Sequence, residues 1–257
     1  MEGIIKEELK CIEEMHNVKI LYACESGSRA WGFPSKDSDY DVRFIYINHP
    51  DWYLSIDDKR DVIELPINDL LDINGWDIRK ALKLFRKSNP PLQEWLLSDI
   101  VYYQKYDFIN NLRALSSEVF SPISCFYHYL NMARNNYREY LQGDQVKIKK
   151  YFYVLRPVLA CKWIEQHNTM PPILFKDLVE STLSEGALKT QINLLLDRKI
   201  QGEELNLEPR VNVINEYIDL EIKYLEAYIK TVNFEASDPT SKLDELFRKT
   251  LLEVWSS

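Results

Sequence analysis

The chain has 257 residues, a formal net charge of −8, 46% hydrophobic and 28% charged residues, and only 7 glycines. This composition is typical of a packed, helix-rich globular protein and argues against a disordered or fibrous chain. The acidic balance argues against non-specific adhesion to nucleic acid by the whole surface, so any such contact must be local.

The first part of the chain alternates between helical and strand patterns. Its predicted elements are a helix over residues 4–15 and strands over residues 18–23, 40–46, 61–66 and 70–75. The last two strands are separated by residues 67–69, a plausible hairpin turn. A turn region containing Gly27, Gly32 and Pro34 precedes the second strand.

From residue 78 onwards the apolar spacing is helical, apart from a strand predicted at residues 100–103. No strand is predicted after about residue 105, and breaks such as Ser121-Pro122 and Gly186 divide this part into helices. We therefore expect an α+β protein with two domains, a mixed one over residues 1–104 and an all-helical one over residues 105–257.

The cysteines and the N-terminal residues indicate the compartment. The four cysteines are far apart and lie in apolar or periodic segments, which predicts reduced, buried thiols in a cytoplasmic protein. The first residues, MEGIIKEELKCIEEM, carry acids where a signal peptide has a basic end, and no run of about 18 apolar residues occurs. Neither secretion nor membrane insertion is expected.

The stretch from Gly27 to Asp41 contains the residues most suggestive of chemistry. Gly27-Ser28 is followed after ten residues by Asp39-Tyr40-Asp41, at the start of an apolar strand. Strand alternation directs Asp39 and Asp41 to one side, roughly 6.5 to 7 Å apart, a spacing that divalent cations such as Mg²⁺ can bridge. A glycine lets the backbone approach a phosphate, and Ser28 and Arg29 can hold its oxygens. Taken alone, each feature also fits an ordinary solvated turn.

The joint pattern resembles the signature of nucleotidyltransferases of the DNA polymerase β superfamily. Three longer stretches are similar, more narrowly, to the RlaP-like predicted nucleotidyltransferases, which are associated with RNA repair. These stretches are GSRAWGFPSKDSDYDVRFIY, GWDIRKALKLFRKSNPPLQEWL and YFYVLRPVLACKWIE. The resemblance spans about residues 20–175. It implies a small mixed sheet with helices on one side, two metal ions (Mg²⁺ or Mn²⁺), and transfer of a nucleoside monophosphate from an NTP to an acceptor hydroxyl with release of pyrophosphate.

The resemblance also implies a third acid from a neighbouring strand. Asp77 is favoured because it directly precedes a predicted helix, although a helix cap is an equal explanation, and Asp72 and Glu64 remain open. The expected metal-binding, catalytic residues are Asp39, Asp41 and Asp77, and the expected nucleotide-binding residues are Gly27, Ser28, Arg29 and Lys80. Trp31 and Trp76 are expected in the core rather than stacked on a base.

A basic segment over residues 134–162 holds seven Lys and Arg residues against two acids, with tyrosines interleaved. Cations and exposed rings together are typical of single-stranded nucleic acid binding, so Lys149, Lys150 and Arg156 are expected to bind the acceptor. A solvated helix face is the alternative. The expected acceptor is RNA. The rival functions are adenylylation of a protein, as in antitoxin-type members of the superfamily, and a non-catalytic RNA- or partner-binding module.

Overall fold

The computed structural model of the chain describes residues 1–36, 38–66, 70–203, 205–232 and 238–256. The described helices are α1 (Glu2–His16), α2 (Gly27–Ala30), α3 (Pro50–Tyr53), α4 (Ile78–Arg86), α5 (Pro90–Leu97), α6 (Phe108–Val119), α7 (Pro122–Tyr140), α8 (Lys150–His167), α9 (Phe175–Thr182), α10 (Ala187–Ile200), α11 (Asn212–Tyr228) and α12 (Thr240–Trp255), with a 3₁₀ turn at Ile229–Thr231. The described strands are β1 (Val18–Glu25), β2 (Tyr40–Asn48), β3 (Val62–Glu64), β4 (Leu71–Asp77), β5 (Val101–Gln104), β6 (Gln145–Lys147) and β7 (Leu207–Pro209). The hairpin turn expected at residues 67–69 lies outside the described residues.

The chain divides into two compact units. The first contains Met1–Ala30, Asp39–Phe120 and α12, and the second contains Trp31–Ser38 and the chain from Ser121 through the 3₁₀ turn. This division differs from the expected boundary between residues 104 and 105. Helices α6 and α12 belong to the first unit, whereas the segment between the Gly-Ser turn and the two aspartates belongs to the second.

The first unit is built on a five-stranded mixed sheet with the order β3-β4-β2-β1-β5. Three neighbouring pairs are antiparallel: β1 with β2, β1 with β5, and β3 with β4. The fourth pair, β2 with β4, is parallel. The parallel pair sets Asp41 beside Asp72 and Tyr46 beside Asp77. These two neighbouring strands carry most of the acids considered above.

Helices cover both faces of this sheet, because the inner strands are apolar on both sides. On β2, Val42, Phe44 and Tyr46 join a core that includes residues of α1. Ile45 and Ile47, which point the other way, join a core with residues of α4, α5, α6 and α12. The expectation of helices on one side only is therefore wrong, since α1 buries its apolar stripe against the second face.

The second unit is mainly helical but not entirely so. Strands β6 and β7 pair antiparallel, with Gln145 opposite Pro209, which contradicts the expectation of no strand after residue 105. Three-residue strands carry too little alternation to be recognised in a sequence. Of the cysteines, Cys11 is exposed, contrary to expectation, and the other three are buried. None of the described helices is both long and apolar enough to cross a bilayer.

Candidate active site

The Gly27-Ser28 turn lies directly against Asp41. Gly27 has a φ of +60°, and a Cβ at this position would lie 2.0 Å from Oδ2 of Asp41. The turn is held there by the backbone N–H of Ser26, which donates to the carbonyl oxygen of Asp41 at 2.8 Å. Only glycine permits both this conformation and this approach. The two halves of the motif are therefore in contact.

Asp41 and Asp72 converge on one cationic group. The guanidinium of Arg43 donates from Nη2 to Oδ1 of Asp41 at 3.1 Å and to Oδ2 of Asp72 at 2.8 Å. Its Nη1 donates to the carbonyl oxygens of Val42 and Asp72, both at 3.0 Å. Alternation along β2 and β4 explains the arrangement, because it directs these three side chains to the same face of the sheet.

Asp39 lies just before β2 and is exposed. Its carbonyl oxygen accepts from Nε of Arg29 at 3.1 Å, and the Arg29 guanidinium lies 3.7 Å from the ring centroid of Tyr40. Burial raises the pKa of Asp41; Arg43 opposes this, and the negative charges of Asp72 and Asp39 add to it. The three carboxylates therefore repel one another, which a bound cation would relieve.

Glu25 is a buried carboxylate beneath this group that the sequence analysis missed. Its Oε1 accepts from the backbone N–H of Asp41 at 2.8 Å, and its Oε2 accepts from the hydroxyl of Tyr102. Burial raises the pKa of Glu25, while both hydrogen bonds oppose the shift. The available signal was a charged residue ending an apolar strand immediately before the Gly-Ser turn.

Asp77 does not belong to this carboxylate group. It pairs with Tyr46, five residues along the parallel ladder from Asp41, which corresponds to roughly 16 Å. Asp77 is five residues from Asp72 on β4, and because this number is odd, the two side chains point to opposite faces of the sheet. Asp77 is buried and caps α4: Oδ1 accepts from the N–H of Arg79 at 2.8 Å. Its Oδ2 accepts from Nδ2 of Asn48 at 2.9 Å and from the hydroxyl of Tyr53 at 2.7 Å.

Glu64, the other possible third acid, and Lys80, expected to bind the nucleotide, form contacts away from Asp41. Glu64 lies on β3 and accepts hydrogen bonds from Arg60 and from Nδ2 of Asn74, the latter at 3.0 Å. Lys80 pairs with Asp61 at 3.1 Å. The described contacts connect neither Glu64 nor Lys80 with Gly27 or Asp41.

The basic residues of the second unit fall into different environments. Lys149 is exposed and Lys150 half-buried, whereas Arg156 is only 3% exposed and its guanidinium lies 4.5 Å from the ring centroid of Trp31. Lys162 is paired with both carboxylate oxygens of Glu221 at 3.1 Å. A continuous basic face is therefore not formed by this segment alone.

The carboxylates fit a divalent cation by their chemistry. In the described parts of the chain, no three His, Cys, Asp or Glu side chains are gathered closely enough to hold a metal ion. Two carboxylates nevertheless converge on a single cation, the guanidinium of Arg43. Carboxylate oxygens are the ligands that Mg²⁺ prefers, so these residues suit Mg²⁺ or Mn²⁺. Arg43 was also missed, although alternation from Asp41 predicts its position.

Comparison with known proteins identifies the family to which the chain belongs. A family model described as "RNA repair pathway DNA polymerase beta family" (RlaP) matches residues 1–249. The chain belongs to this family, which confirms the resemblance seen in the sequence and assigns the chain to the nucleotidyltransferases of polymerase β type.

Among individual proteins, the chain is 56% identical over 255 residues to the uncharacterized protein YcgL of Bacillus subtilis (strain 168), covering 99% of this chain and 98% of that protein. A crystal structure of a nucleotidyltransferase-like protein from Exiguobacterium sibiricum 255-15 aligns with 98% of this chain and 91% of its own. The TM-score of this alignment is 0.33 and the sequence identity is 12%.

Proposed function

We propose that this protein transfers a nucleoside monophosphate from an NTP to an acceptor hydroxyl on RNA, releasing pyrophosphate. Mg²⁺ or Mn²⁺ would be held by Asp41 and Asp72, which converge on Arg43, and Asp39, whose side chain is exposed, would complete the site by turning toward them. The observation that supports this most strongly is the contact of the Gly27 turn with Asp41, whose neighbour in the parallel ladder is Asp72. A phosphate-approaching turn and a pair of converging carboxylates thereby share one position. Membership of the polymerase β-type family supports the reaction class.

The residues of the chain would act mainly by positioning. Gly27 leaves space where a side chain would collide, so the backbone can approach the triphosphate, and Ser28 offers its hydroxyl beside it. Arg29, tethered to the carbonyl oxygen of Asp39, supplies a fixed positive charge next to the acids. A divalent ion bound by the carboxylates would neutralise charge on the transferring phosphoryl group.

Asp72 replaces Asp77 as the proposed third acid. Asp72 shares Arg43 with Asp41, whereas Asp77 is fully engaged in capping α4 and in two further hydrogen bonds. Arg43 is then a positioning residue: it holds the two carboxylates together and balances their charge.

The third acid is tested by two matched amide substitutions, Asp72→Asn and Asp77→Asn. Transfer from labelled NTPs to RNA with a free 3′ hydroxyl is measured in Mg²⁺, with circular dichroism to verify folding. Loss of an interaction worth several kcal/mol should lower the rate of Asp72→Asn by orders of magnitude, since about 1.4 kcal/mol is tenfold. Asp77→Asn keeps a capping acceptor and should retain most activity.

The assignment fails if Asp77→Asn is folded and inactive while Asp72→Asn turns over normally. Transfer to candidate proteins but not to RNA would favour the protein-acceptor alternative. Absence of transfer with every NTP and acceptor would favour a non-catalytic module.

Metal binding has its own test, which does not depend on the acceptor. Mg²⁺ or Mn²⁺ with an NTP should raise the melting temperature, because a ligand that binds only the folded state stabilises it by mass action. The double substitution Asp39→Asn with Asp41→Asn should abolish that increase. An increase of unchanged size in the double variant would place the metal elsewhere.

A further inference from the structure

Cations and aromatic rings from three separate parts of the sequence meet in the second unit. Nζ of Lys150 lies 3.9 Å from the ring centroid of Tyr140 and 5.2 Å from that of Tyr153. The ring of Tyr153 meets that of Trp31 edge-on, with centroids 6.1 Å apart. The series Tyr140, Lys150, Tyr153 and Trp31, with Lys149 and Lys199 beside it, is called here the cation–ring strip.

Lys199 of α10 extends the strip from a distant part of the chain. Its Nζ lies 5.7 Å from the ring centroid of Phe33, which is itself 5.9 Å from that of Trp31. Burial lowers the pKa of Lys199, and repulsion from Lys149 lowers it further. Lys199 thus reaches the same group of rings as Lys150, through Phe33 and Trp31.

The lysines of the strip differ from other cations of this unit. Lys162 is paired with Glu221, and Arg134 with Glu226. In the described ranges, no Asp or Glu forms an ion pair with any of the three lysines of the strip. Burial and the charge of Lys149 also lower the pKa of Lys150, although Glu139 opposes this. A polyanion would supply the negative charge that no described ion pair gives these lysines.

The rings of the strip are held in place and partly open to solvent. Tyr153 is 40% exposed, and Tyr140 and Trp31 are half-buried. The backbone at Trp31 is fixed, because its carbonyl oxygen accepts from the N–H of Phe175 at 3.0 Å and Phe33, two residues further along the chain, is buried. Rings held in this way lose little conformational entropy when a flat partner stacks on them.

We propose that the cation–ring strip binds single-stranded RNA, with the lysines contacting phosphates and the 40% exposed ring of Tyr153 stacking on an unpaired base. Alternating charge and ring surface suits a single strand, since the bases of a duplex are stacked on one another and unavailable to side chains. The choice of RNA rests on the proposed function. We assign the strip as the surface that binds the acceptor. Among the expected acceptor-binding residues, Arg156 is buried, and Lys199 takes its place in this assignment.

Binding of a labelled oligouridine of about 16 nucleotides, measured by fluorescence anisotropy between about 50 and 200 mM salt, tests the proposal. A blocked 3′ end and the absence of NTP and divalent metal separate this binding from nucleotidyl transfer. Replacing Lys149 and Lys199 together by Ala should reduce the slope of log K against log salt by about 1.4, or about 0.7 per phosphate contact. Tyr153→Ala should weaken binding about 5- to 150-fold, and Tyr153→Phe should restore it.

Lys223→Ala provides a matched control, because this lysine lies in the same unit but is paired with Asp219 at 2.5 Å. It should bind like the wild type, and melting temperatures verify that every variant is folded. A wild-type salt slope in the Lys149 and Lys199 double variant would overturn the proposal. So would equal losses for Tyr153→Ala and Tyr153→Phe, or equally tight binding of an RNA duplex. Binding that persists while transfer fails with every NTP would count against the proposed function alone.

Discussion

An alanine at position 27 would test the contact on which the proposed active site depends. Its Cβ would lie 2.0 Å from Oδ2 of Asp41, and this gap would have to widen to about 3.4 Å for an ordinary contact. The turn, the carboxylate or both would therefore move by more than 1 Å in total. A misplacement of about 1 Å can cost about 10²-fold in rate. The φ of +60° adds a cost of about 1–2 kcal/mol for a residue with a side chain.

Gly202→Ala separates the effect of the contact from that of the backbone conformation. Gly202 has a φ of +80°, but no described atom would lie within 4 Å of a Cβ added there. In urea denaturation, Gly202→Ala should lower the free energy of unfolding by about 1–2 kcal/mol, and Gly27→Ala should lower it by at least as much because of the added clash. Only Gly27→Ala should lower the single-turnover transfer rate, by about 100-fold or more. A wild-type rate for Gly27→Ala, or an equal loss of rate in Gly202→Ala, would refute the reasoning.

Two further predictions concern buried carboxylates. Glu25→Ala should lower the free energy of unfolding by about 2–4 kcal/mol, because two buried donors lose their acceptor. Glu25→Gln keeps an acceptor oxygen and should lower the free energy of unfolding clearly less. Equal losses for the two variants in urea denaturation would contradict this reasoning. Burial raises the pKa of Asp77 above its unfolded value, so the folded state binds more protons between the two pKa values. The free energy of unfolding should therefore fall as pH rises from about 4 until Asp77 ionises, and Asp77→Asn should lack this fall; parallel pH profiles for the two proteins would argue against it.

Local features of the chain were predictable from the sequence because they depend on neighbouring residues. The spacing of Gly27 and Asp41 indicated a turn and a strand that meet at a phosphate site, and both elements occur in the structure. The helix after Asp77 was also predicted, and its capping role is a local interaction between this side chain and the N–H two residues later. The apolar run that begins at Tyr40 predicted a strand over residues 40–46, and the structure has one at Tyr40–Asn48.

Relations between distant segments were decided only by the tertiary structure. Asp72 lies beside Asp41, and Asp77 does not, because the parallel register of β2 and β4 aligns residues that are 31 positions apart in the chain. Ion pairs between different helices likewise decide which cations are neutralised, as with Lys162 of α8 and Glu221 of α11. The same holds for Lys199, which comes near the ring of Phe33 only because packing brings the end of α10 to a segment far away in the chain. Local pattern constrains which way a side chain points along its own element, but not which element lies next to it.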